Sequence, residues 1–465
     1  STLQAAYGGL EEMMLYVHVP FCAQRCQFCE YTVVDPKQGK RDVVQDRYFD
    51  SLLTEFDLYR DVLQTQNKRL VGFDIGGGTP SMASADNIER VMRKMHDSFR
   101  LDTNTMISIE TTPKIAAQDP AKIKAYYDMG IRRISMGVQT TDFALAKKLG
   151  RHDDDFLAAS VDNIRSAGFE SFNIDLMYGF PLRSNAEDKW GDTLSKTIQL
   201  LAPDHITLYR MRYKGTKMAH LQDRVNLEQI NAQSDLAGRI LNDAGYTGWI
   251  GKNTFSRLPN DSGCSDYLEK RVVHGVPYLG LGLGAQSFSH STLAYNLGGV
   301  TKRMEQYTRS LDLGRLPIQD LYHLSPQAAW GKFCSVSFYF GGIDLASFRT
   351  NFGLELEDAF PDKVAFVLEK GLMERFGGRL QMTKRGKAHY GGVLALFYSP
   401  HIQRHLVSLP GGEVGATDYM SRTQRVLEPQ RQRDTGHAAE EATPVRQSRI
   451  HDPRPSLPSE WAVAT

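Results

Sequence analysis

Residues 16–29 read Tyr16-Val-His-Val-Pro-Phe-Cys22-Ala-Gln-Arg-Cys26-Gln-Phe-Cys29. The apolar run Leu15–Val19 predicts a β-strand, and three cysteines spaced C-x3-C-x2-C follow it on a short loop. Three thiolates in this arrangement can hold three irons of a 4Fe–4S cluster, which leaves the fourth iron without a protein ligand. The amino and carboxylate groups of S-adenosylmethionine (SAM) can chelate that open iron. The stretch therefore predicts one-electron cleavage of SAM to methionine and a 5′-deoxyadenosyl radical.

Two other interpretations of the three cysteines stay open at this point. A structural zinc site wants four ligands, and His18 is the candidate for the fourth, although it lies within the predicted strand. A disulfide is the second alternative, but disulfides are not expected in a long cytosolic chain. Cys264 and Cys334 stand alone in the sequence, and we expect both to be buried, unreactive thiols.

The composition of the whole chain is that of a globular protein. Of its 465 residues 41% are hydrophobic and 23% are charged, and the formal net charge is +1. This charge gives no general attraction to nucleic acid or anionic lipid, and no apolar run approaches the length of a spanning helix. No basic region followed by an apolar stretch is visible in Ser1–Glu12. We therefore expect a cytoplasmic protein with no nucleic-acid or membrane partner.

Short strands alternate with longer amphipathic helices over the first 250 residues or so. This alternation predicts a parallel α/β architecture with six or more βα units, which is a full or partial barrel. In such folds the loops after the strands carry the chemistry. The predicted strands are Leu15–Val19, Val71–Ile75, Met106–Glu110, Arg133–Val138, Phe172–Met177, His205–Tyr209 and Gly245–Ile250.

A second, smaller unit begins near Pro317. Two helices and a hairpin over Met373–Met382, with Gly377-Gly378 as its turn, are typical of a winged-helix-like domain. At near-zero net charge we expect a packing or lid role for it rather than DNA binding. After Pro410 apolar residues nearly vanish, which predicts a disordered tail. The predicted organisation is an N-terminal segment 1–14, a core barrel with its extension 15–315, a C-terminal helical domain 316–409 and the tail 410–465.

The cysteine loop and five further motifs resemble the radical SAM enzymes, in the branch typified by oxygen-independent coproporphyrinogen III dehydrogenase. The resemblance runs from about Leu15 to about Leu396. It implies a partial (β/α)6 barrel followed by a small helical domain. The further motifs are Gly76-Gly-Gly-Thr-Pro80, Ile107-Ser-Ile-Glu110, Arg133-Ile-Ser-Met-Gly-Val-Gln139, Asn173-Ile-Asp-Leu-Met-Tyr-Gly179 and Tyr278-Leu-Gly-Leu-Gly-Leu-Gly-Ala285.

The resemblance also implies which residues contact SAM. The cluster-bound SAM would contact Tyr16, Gly77 and Glu110. The founding enzyme of the branch binds two SAM molecules, and the residues near a second one would be Phe28, Gly78, Thr79, Gln139, Arg151 and Asp175. Arg210 and Gln286 fall where the family adds further contacts. Structural roles are the alternative: the glycines can form a tight turn, Glu110 can form a barrel ion pair, Arg151 can be an exposed surface residue, and Asp175 can pair with Arg151.

Two departures from the family pattern narrow the implied activity. The coproporphyrinogen enzyme has Cys where this chain has Tyr31, and the heme chaperones of the branch have His-Asn-x-x-Tyr-Trp where this chain has Gly263–Leu268. What remains is the group of class C radical SAM methyltransferases and cyclopropanases of natural-product biosynthesis, which transfer a SAM-derived carbon to an sp2 carbon. Porphyrin chemistry, either coproporphyrinogen dehydrogenation or anaerobic heme ring opening, and a heme-chaperone role are the alternatives.

The same resemblance implies a proton-handling residue and two kinds of partner. Glu30 or Tyr31, next to the cysteine loop, can handle a proton in the reaction, with packing or solvent exposure as the alternative for each. The expected substrate is a small-molecule or carrier-bound biosynthetic intermediate. An electron donor such as flavodoxin or ferredoxin is expected to reduce the cluster.

Overall fold

The strands form two sheets within residues 2–35, 41–151, 154–181 and 188–408, which the computed structural model describes. The strands are β1 Glu12–Val19, β2 Arg69–Gly77, β3 Arg100–Leu101, β4 Ile107–Thr111, β5 Ile131–Gln139, β6 Ser171–Tyr178, β7 His205–Arg210, β8 Thr254–Ser256, β9 Tyr278–Leu281, β10 Gln286–Phe288, β11 Thr292–Asn296, β12 Ile318–His323, β13 Gly342–Asp344, β14 Met373–Phe376 and β15 Arg379–Met382.

Several helices begin at a polar side chain that caps their free N–H groups. Ser84 accepts from the N–H of Asn87, for example, and Asp142 accepts from the N–H of Leu145. The helices are α1 Thr2–Tyr7, α2 Arg41–Leu63, α3 Ala85–Ser98, α4 Pro113–Gln118, α5 Pro120–Asp128, α6 Phe143–Leu149, α7 Leu157–Ala167, α8 Trp190–Lys196, α9 Leu227–Asp243, α10 Asp266–Glu269, α11 Met304–Asp312, α12 Pro326–Ser337, α13 Leu345–Phe352, α14 Leu356–Ala359, α15 Pro361–Glu369, α16 Lys384–Ala388, α17 Tyr390–Leu396 and α18 Pro400–Ser408.

Six neighbouring parallel strands, β1, β2, β4, β5, β6 and β7, form the barrel wall. Helices lie between consecutive strands, as parallel connections require. Antiparallel β8 ends the sheet beside β7, and β9 to β12 extend it on the other side of β1. The predicted fold class, a partial (β/α)6 barrel, is confirmed.

The inside of the barrel is polar and is filled partly by α10. Tyr267 of this helix stacks on Tyr16 with ring centroids 5.8 Å apart, and Ser265 donates to the Asp74 carboxylate at 2.6 Å. The segment Gly263–Leu268 therefore packs into the barrel, and Tyr267 is only 1% exposed. The outward faces of the strands are apolar and pack on the helices to form the main core.

One predicted strand, Gly245–Ile250, is wrong. The segment is a loop in which Thr247 makes one isolated bridge with Ser256, and Gly245 at φ 82 forms the turn that ends α9. The strand that follows β7 is instead β8, which pairs antiparallel with it. The loop at 245–251 contacts the C-terminal unit, because the Trp249 Nε1–H donates to the Phe340 carbonyl oxygen at 2.5 Å.

The C-terminal unit has its own core and a small sheet in the order β13-β15-β14. The predicted hairpin is confirmed, and Gly377 and Gly378 form its turn with positive φ angles of 55 and 77. Strand β12 pairs with β11 of the large sheet, so that sheet continues past residue 315 to His323. The predicted tail lies outside the described residues. Within the described ranges, no helix has both the length and the apolar character that a membrane span needs.

Candidate active site

The cysteine loop is fixed by backbone hydrogen bonds to several other segments. The N–H of Cys22 donates to the Val34 carbonyl oxygen at 3.1 Å, and the N–H of Gln27 donates to that of Leu149 at 3.1 Å. The N–H of Lys217 donates to the Gln27 carbonyl oxygen at 3.1 Å. Cys22, Cys26 and Cys29 are free thiols that line one large cavity. The loop therefore presents all three predicted ligands to the same space.

These thiols fit an iron–sulfur cluster better than a single zinc ion. Within the described ranges, no three His, Cys, Asp or Glu side chains are arranged to hold one metal ion, whereas a cubane takes its thiolates at separate corners. His18 is not available as a fourth ligand. Its Nε2 lies 2.8 Å from the Thr32 carbonyl oxygen and its Nδ1 lies 3.5 Å from the Tyr16 hydroxyl. Burial raises the pKa of Cys22 to about 12, so cluster binding would displace its thiol proton.

Burial of His18 makes the stability of the fold depend on pH in the acidic range. Burial lowers its pKa to about 4, although the hydrogen bond to Thr32 acts in the opposite direction. An unfolded histidine has a pKa of about 6.5, so between these two values only the unfolded chain gains the proton. We expect the free energy of unfolding of the cluster-free chain to fall by about 2 kcal/mol from pH 7 to pH 5 through this residue.

Urea unfolding of the wild type and of His18→Gln at both pH values measures this effect. The variant should lose that part of the pH dependence. His96→Gln, on an exposed helix position, is the matched control and should keep it. Equal pH dependence in the wild type and His18→Gln would show that His18 is not the responsible group.

The glycine segment at the end of β2 lies against the start of the cysteine loop. The N–H of Gly78 donates to the Val19 carbonyl oxygen at 2.9 Å, and the N–H of Thr79 donates to that of Phe21 at 2.8 Å. A Cβ at Gly78 would lie 2.8 Å from the Phe21 oxygen. The Thr79 hydroxyl is 3.6 Å from the Cys22 sulfur. Glycine is therefore required here for the close approach of two backbones, which a plain tight turn would not need.

Glu110 at the end of β4 joins this corner of the site. Its Oε2 accepts from the Gly77 N–H at 3.2 Å. A Cβ at Gly76 would lie 2.8 Å from Glu110 Oε1 and 3.0 Å from the Tyr16 hydroxyl. The structure thus brings Tyr16, Gly77 and Glu110 into one corner, and their contact with SAM stays a prediction.

A second wall of the cavity, beside the cysteine loop, contains Phe28, Gln139 and Arg151. The Arg151 guanidinium carbon lies 6.0 Å from the centre of the Phe28 ring. Gln139 has φ 71, which is uncommon for a residue with a side chain and indicates local strain. A Cβ at Gly137 would lie 2.8 Å from the Gln139 amide nitrogen and 3.4 Å from an Arg151 terminal nitrogen. The two side chains are therefore neighbours, across the small Gly137.

Asp175 is the acidic group of this wall. Its two oxygens accept from the Asn173 amide at 2.8 Å and the Ser135 hydroxyl at 3.2 Å. Burial raises its pKa to about 6, while these hydrogen bonds and the guanidinium groups of Arg133 and Arg151 act to lower it. The Asp175 carboxylate therefore accepts from two neutral donors and is attracted by two guanidinium groups. A cation that enters the cavity would lower its pKa further.

Most of the predicted residues line this one cavity, but two do not. Gln286 on β10 lies outside the lining, and its amide is held by the hydroxyls of Tyr278 and Tyr295. Tyr16 stands behind Gly76 rather than on the cavity surface. The lining includes Cys22, Cys26, Phe28, Cys29, Glu30, Tyr31, Gly77, Gly78, Thr79, Glu110, Gln139, Arg151, Asp175 and Arg210.

Sequence reasoning missed two groups of cavity residues. Arg212 forms an ion pair with Glu30 at 2.5 Å, so Glu30 is not a free base. Burial raises the pKa of Glu30, although Arg212 acts to lower it. The second group is cationic and lies on α9, α16 and α18, where Arg239, Lys384 and Arg404 also line the cavity. The available signal was the basic run Lys384-Arg-Gly-Lys387.

Comparison with known proteins identifies two family models and several relatives that match this chain. Residues 16–188 match the model of the radical SAM superfamily, and residues 340–389 match that of the HemN C-terminal domain. The heme chaperone HemW of Haemophilus influenzae is 32% identical over 397 residues, which is 83% of this chain and 98% of that protein. The oxygen-independent coproporphyrinogen III oxidase of Synechocystis is 26% identical over 413 residues, or 83% and 84% of the two chains.

The fold agrees as well. The solved structure of coproporphyrinogen III oxidase (HemN) from Escherichia coli superimposes with a TM-score of 0.70 at 23% identity, and the match covers 86% of this chain and 93% of that one. Because the HemW relative is 32% identical and is matched over nearly its whole length, and because residues 16–188 match the radical SAM model, this chain belongs to the radical SAM superfamily, in the family that contains HemN and HemW.

Proposed function

We propose that this chain is an enzyme that acts on a large, multiply anionic substrate of the tetrapyrrole class, bound in the cavity beside the cysteine loop. The observation that carries the proposal is the cavity itself. It has the three cysteines in one part of its lining and the exposed cations Arg239, Lys384 and Arg404 in another. Membership of the radical SAM superfamily implies a 4Fe–4S cluster and SAM. When bound, the cluster supplies the electron that cleaves SAM.

The size of the cavity supports a large substrate. Its volume is about 2670 Å³. Common ligand pockets hold about 300–1000 Å³, so there is room for SAM and a macrocycle together. The cavity is also continuous from the barrel to the C-terminal unit, since Lys384 of that unit and Glu110 of the barrel both line it. This arrangement suits a substrate whose reacting carbon lies at the barrel and whose carboxylates lie towards the C-terminal unit.

The charges of the cavity suit carboxylates. Lys387 is partly neutralised by Asp235, with Nζ and Oδ1 3.2 Å apart. Arg239, Lys384 and Arg404 add three exposed positive charges, and Arg210 adds another at the end of β7. Cations that line a cavity attract and orient an anionic substrate. The names of the relatives, coproporphyrinogen III oxidase and heme chaperone, describe proteins whose ligands carry such carboxylates.

The residues nearest the cysteines have distinct roles in this proposal. Gly77 and Glu110 would bind the amino acid part of SAM, because the carboxylate of Glu110 can accept from an ammonium group. Tyr16 supports that corner from behind. Glu30 is held by Arg212 and is assigned no proton transfer. Tyr31, on the cavity surface, keeps the predicted proton-handling role as a proposal.

A second candidate function is transfer of a carbon from a second SAM to an sp2 carbon, by methylation or cyclopropanation. The wall formed by Phe28, Gln139, Arg151 and Asp175 favours it, because an aromatic ring, a guanidinium and a carboxylate meet in one place. These groups can bind the adenine, carboxylate and ammonium of a SAM molecule. No relative reported above carries a methyltransferase or cyclopropanase name.

A heme-chaperone role receives less support from this chain's own residues. The segment Gly263–Leu268 has no histidine, and its Tyr267 is buried against Tyr16 inside the barrel. It is therefore not positioned to bind heme from solvent. Heme binding remains an outcome of the experiment that follows.

The test is an anaerobic reaction of the reconstituted full chain with SAM and dithionite, offered coproporphyrinogen III, heme or no substrate. We expect 5′-deoxyadenosine whose formation rises when the tetrapyrrole is added. S-adenosylhomocysteine formed together with a product carrying the SAM methyl carbon would favour the second candidate instead. Tight heme binding without tetrapyrrole-dependent SAM cleavage would contradict the proposed action on a tetrapyrrole and would favour the heme-chaperone role.

Charge reversal at the cationic part of the cavity tests the substrate class separately. The double variant Lys384→Glu/Arg404→Glu should raise the KM for the tetrapyrrole by about tenfold, because each reversed charge replaces attraction by repulsion at a partly screened site. SAM cleavage without substrate should stay unchanged. Lys370→Glu, outside the cavity, is the matched control. An unchanged KM in the double variant would exclude binding of carboxylates by these cations.

A further inference from the structure

Arg212 contacts two elements that belong to different parts of the fold. It follows β7 by two residues, and its guanidinium lies 2.5 Å from the Glu30 carboxylate, directly after the third cysteine of the loop. It also forms a side-chain hydrogen bond with Tyr339, in which the guanidinium donates to the phenol oxygen. Tyr339 lies between α12 and β13, within the C-terminal unit. One side chain thus links the cysteine loop, the barrel and that unit.

The contacts of Arg212 are strengthened by partial burial and by the geometry of the guanidinium group. The side chains of Glu30 and Arg212 are 19% and 35% exposed, so the ion pair is shielded from water on most sides. Guanidinium has several donors in a fixed plane and can serve a carboxylate and a phenol at once, which a lysine ammonium does less well. All three residues line the cavity, and Tyr31 lies beside them.

The backbone next to Glu30 is held independently of its side chain. Lys302 Nζ donates to the carbonyl oxygens of Glu30 at 2.9 Å and Tyr31 at 3.0 Å. The Glu30 carboxylate is therefore not needed to close the loop. The carboxylate itself forms an ion pair with Arg212 and also lies in the field of the Lys302 ammonium.

Tyr339 lies where the C-terminal unit attaches to the barrel. The next residue, Phe340, accepts from Trp249 and forms an antiparallel bridge with Lys252. A Cβ at Gly251 would lie 2.8 Å from the Gly341 Cα. Residues 339–341 are thus a close contact between the unit and the loop at 248–252. A change in the position of this contact would move the Tyr339 hydroxyl relative to Arg212.

We propose that Glu30, Arg212 and Tyr339 form a positioning clamp that couples the docking of the C-terminal unit to the conformation of the cysteine loop. Arg212 is the positioning residue at its centre. The cavity is then complete only while the loop is in its cluster-binding conformation. The proposal rests on the proposed function in one respect, since that function makes this cavity the reaction chamber.

Hydrogen exchange of the anaerobically reconstituted full chain tests the clamp without an activity assay. Arg212→Met keeps the side-chain bulk but removes both contacts. We expect amide exchange to rise about tenfold in two peptides, one covering the cysteine loop and one covering residues 338–341, because a shielded ion pair and a hydrogen bond together hold these segments closed. Arg224→Met, at an exposed position outside the cavity, is the matched control and should change neither peptide.

Two milder variants distinguish coupling between the two segments from a local disturbance around residue 212. Tyr339→Phe removes one hydroxyl on the C-terminal unit, so an effect on exchange in the cysteine loop would report the contact of this hydroxyl with Arg212 and Glu30. Arg212→Lys should restore protection of the loop through Glu30 but not of residues 338–341. The EPR spectrum of the reduced cluster should change on SAM addition less in Arg212→Met than in the wild type.

The clamp is overturned if neither variant changes exchange in the two peptides. It is also overturned if Tyr339→Phe changes exchange only in residues 338–341 and Arg212→Met changes exchange only next to residue 212. If Arg212→Met does not fold, Tyr339→Phe alone decides. Failure of the proposed function can be told apart from failure of the clamp. A wild-type protein that cleaves no SAM in response to tetrapyrroles can still show coupled exchange in the two peptides.

Discussion

Replacing any one of Cys22, Cys26 and Cys29 with Ala is expected to remove the broad absorbance at about 400 nm and to lower SAM cleavage by roughly a thousandfold or more. The three thiols line one cavity from a single loop, and the other cysteines of the chain, Cys264 and Cys334, are buried elsewhere. Within the described ranges, His18 is engaged inside the barrel and cannot replace a missing thiolate.

Iron and sulfide analysis, visible spectra and 5′-deoxyadenosine formation measure this loss after anaerobic reconstitution. Cys334→Ala is the matched control, because Cys334 is a fully buried thiol in the C-terminal core and should leave cluster content unchanged. A Cys→Ala variant in the loop that retains full cluster content and activity would contradict the assignment of ligands.

Gly77→Ala is expected to weaken SAM binding by about tenfold or more. Gly77 has φ 124, which costs about 1 kcal/mol for a residue with a Cβ. An added Cβ would also lie 2.7 Å from His18 Nδ1, so the segment must shift. A shift moves the Gly77 N–H away from Glu110, and with it the corner predicted to bind the amino acid part of SAM.

Gly378→Ala is the matched control for backbone strain. Gly378 also has positive φ, at 77, but a Cβ there would meet no atom within 4 Å. It should lose about 1 kcal/mol of stability and keep its SAM affinity. Isothermal titration with SAM measures both variants. Equal loss of SAM affinity in the two would mean that strain in general, and not the position of Gly77, is responsible.

The barrel could be predicted because its signals are local. The run Leu15–Val19 and the strands that follow it at regular spacing are apolar segments with helical patterns between them, and the structure has them in β1, β2, β4, β5, β6 and β7. The loop at Gly245–Ile250 resembled a strand because it is short and contains Tyr, Thr, Trp and Ile. Its glycines, and its contact with Phe340, made it a loop, and that contact is about 90 residues away in sequence.

The candidate site could be predicted only where motif residues stand at strand ends. Gly77 and Glu110 meet because β2 and β4 are neighbours in the sheet, which the alternating pattern already indicated. The pairing of Glu30 with Arg212 joins residues 182 positions apart, and neither periodicity nor spacing specifies such a contact. The cations at Lys384 and Arg404 reach the cavity only because the C-terminal unit packs over the barrel.

The choice among activities shows a further limit of sequence reasoning. Tyr31 and the segment Gly263–Leu268 depart from two family patterns, and on that basis the sequence pointed to methylation or cyclopropanation. The relatives found by comparison carry the names heme chaperone and coproporphyrinogen III oxidase. For the choice of activity, similarity over most of the chain is therefore stronger evidence than the absence of a short motif. The cationic lining of the cavity agrees with a carboxylate-bearing substrate.

The central claim is that three cysteines leave one iron of a cluster open to SAM. The most direct measurement is electron–nuclear double resonance of the reduced cluster with SAM labelled with 15N at its amino group and 17O at its carboxylate. Direct coordination predicts hyperfine coupling of both labels to the cluster. A reduced 4Fe–4S spectrum that shows no coupling to either label at saturating SAM would contradict the account.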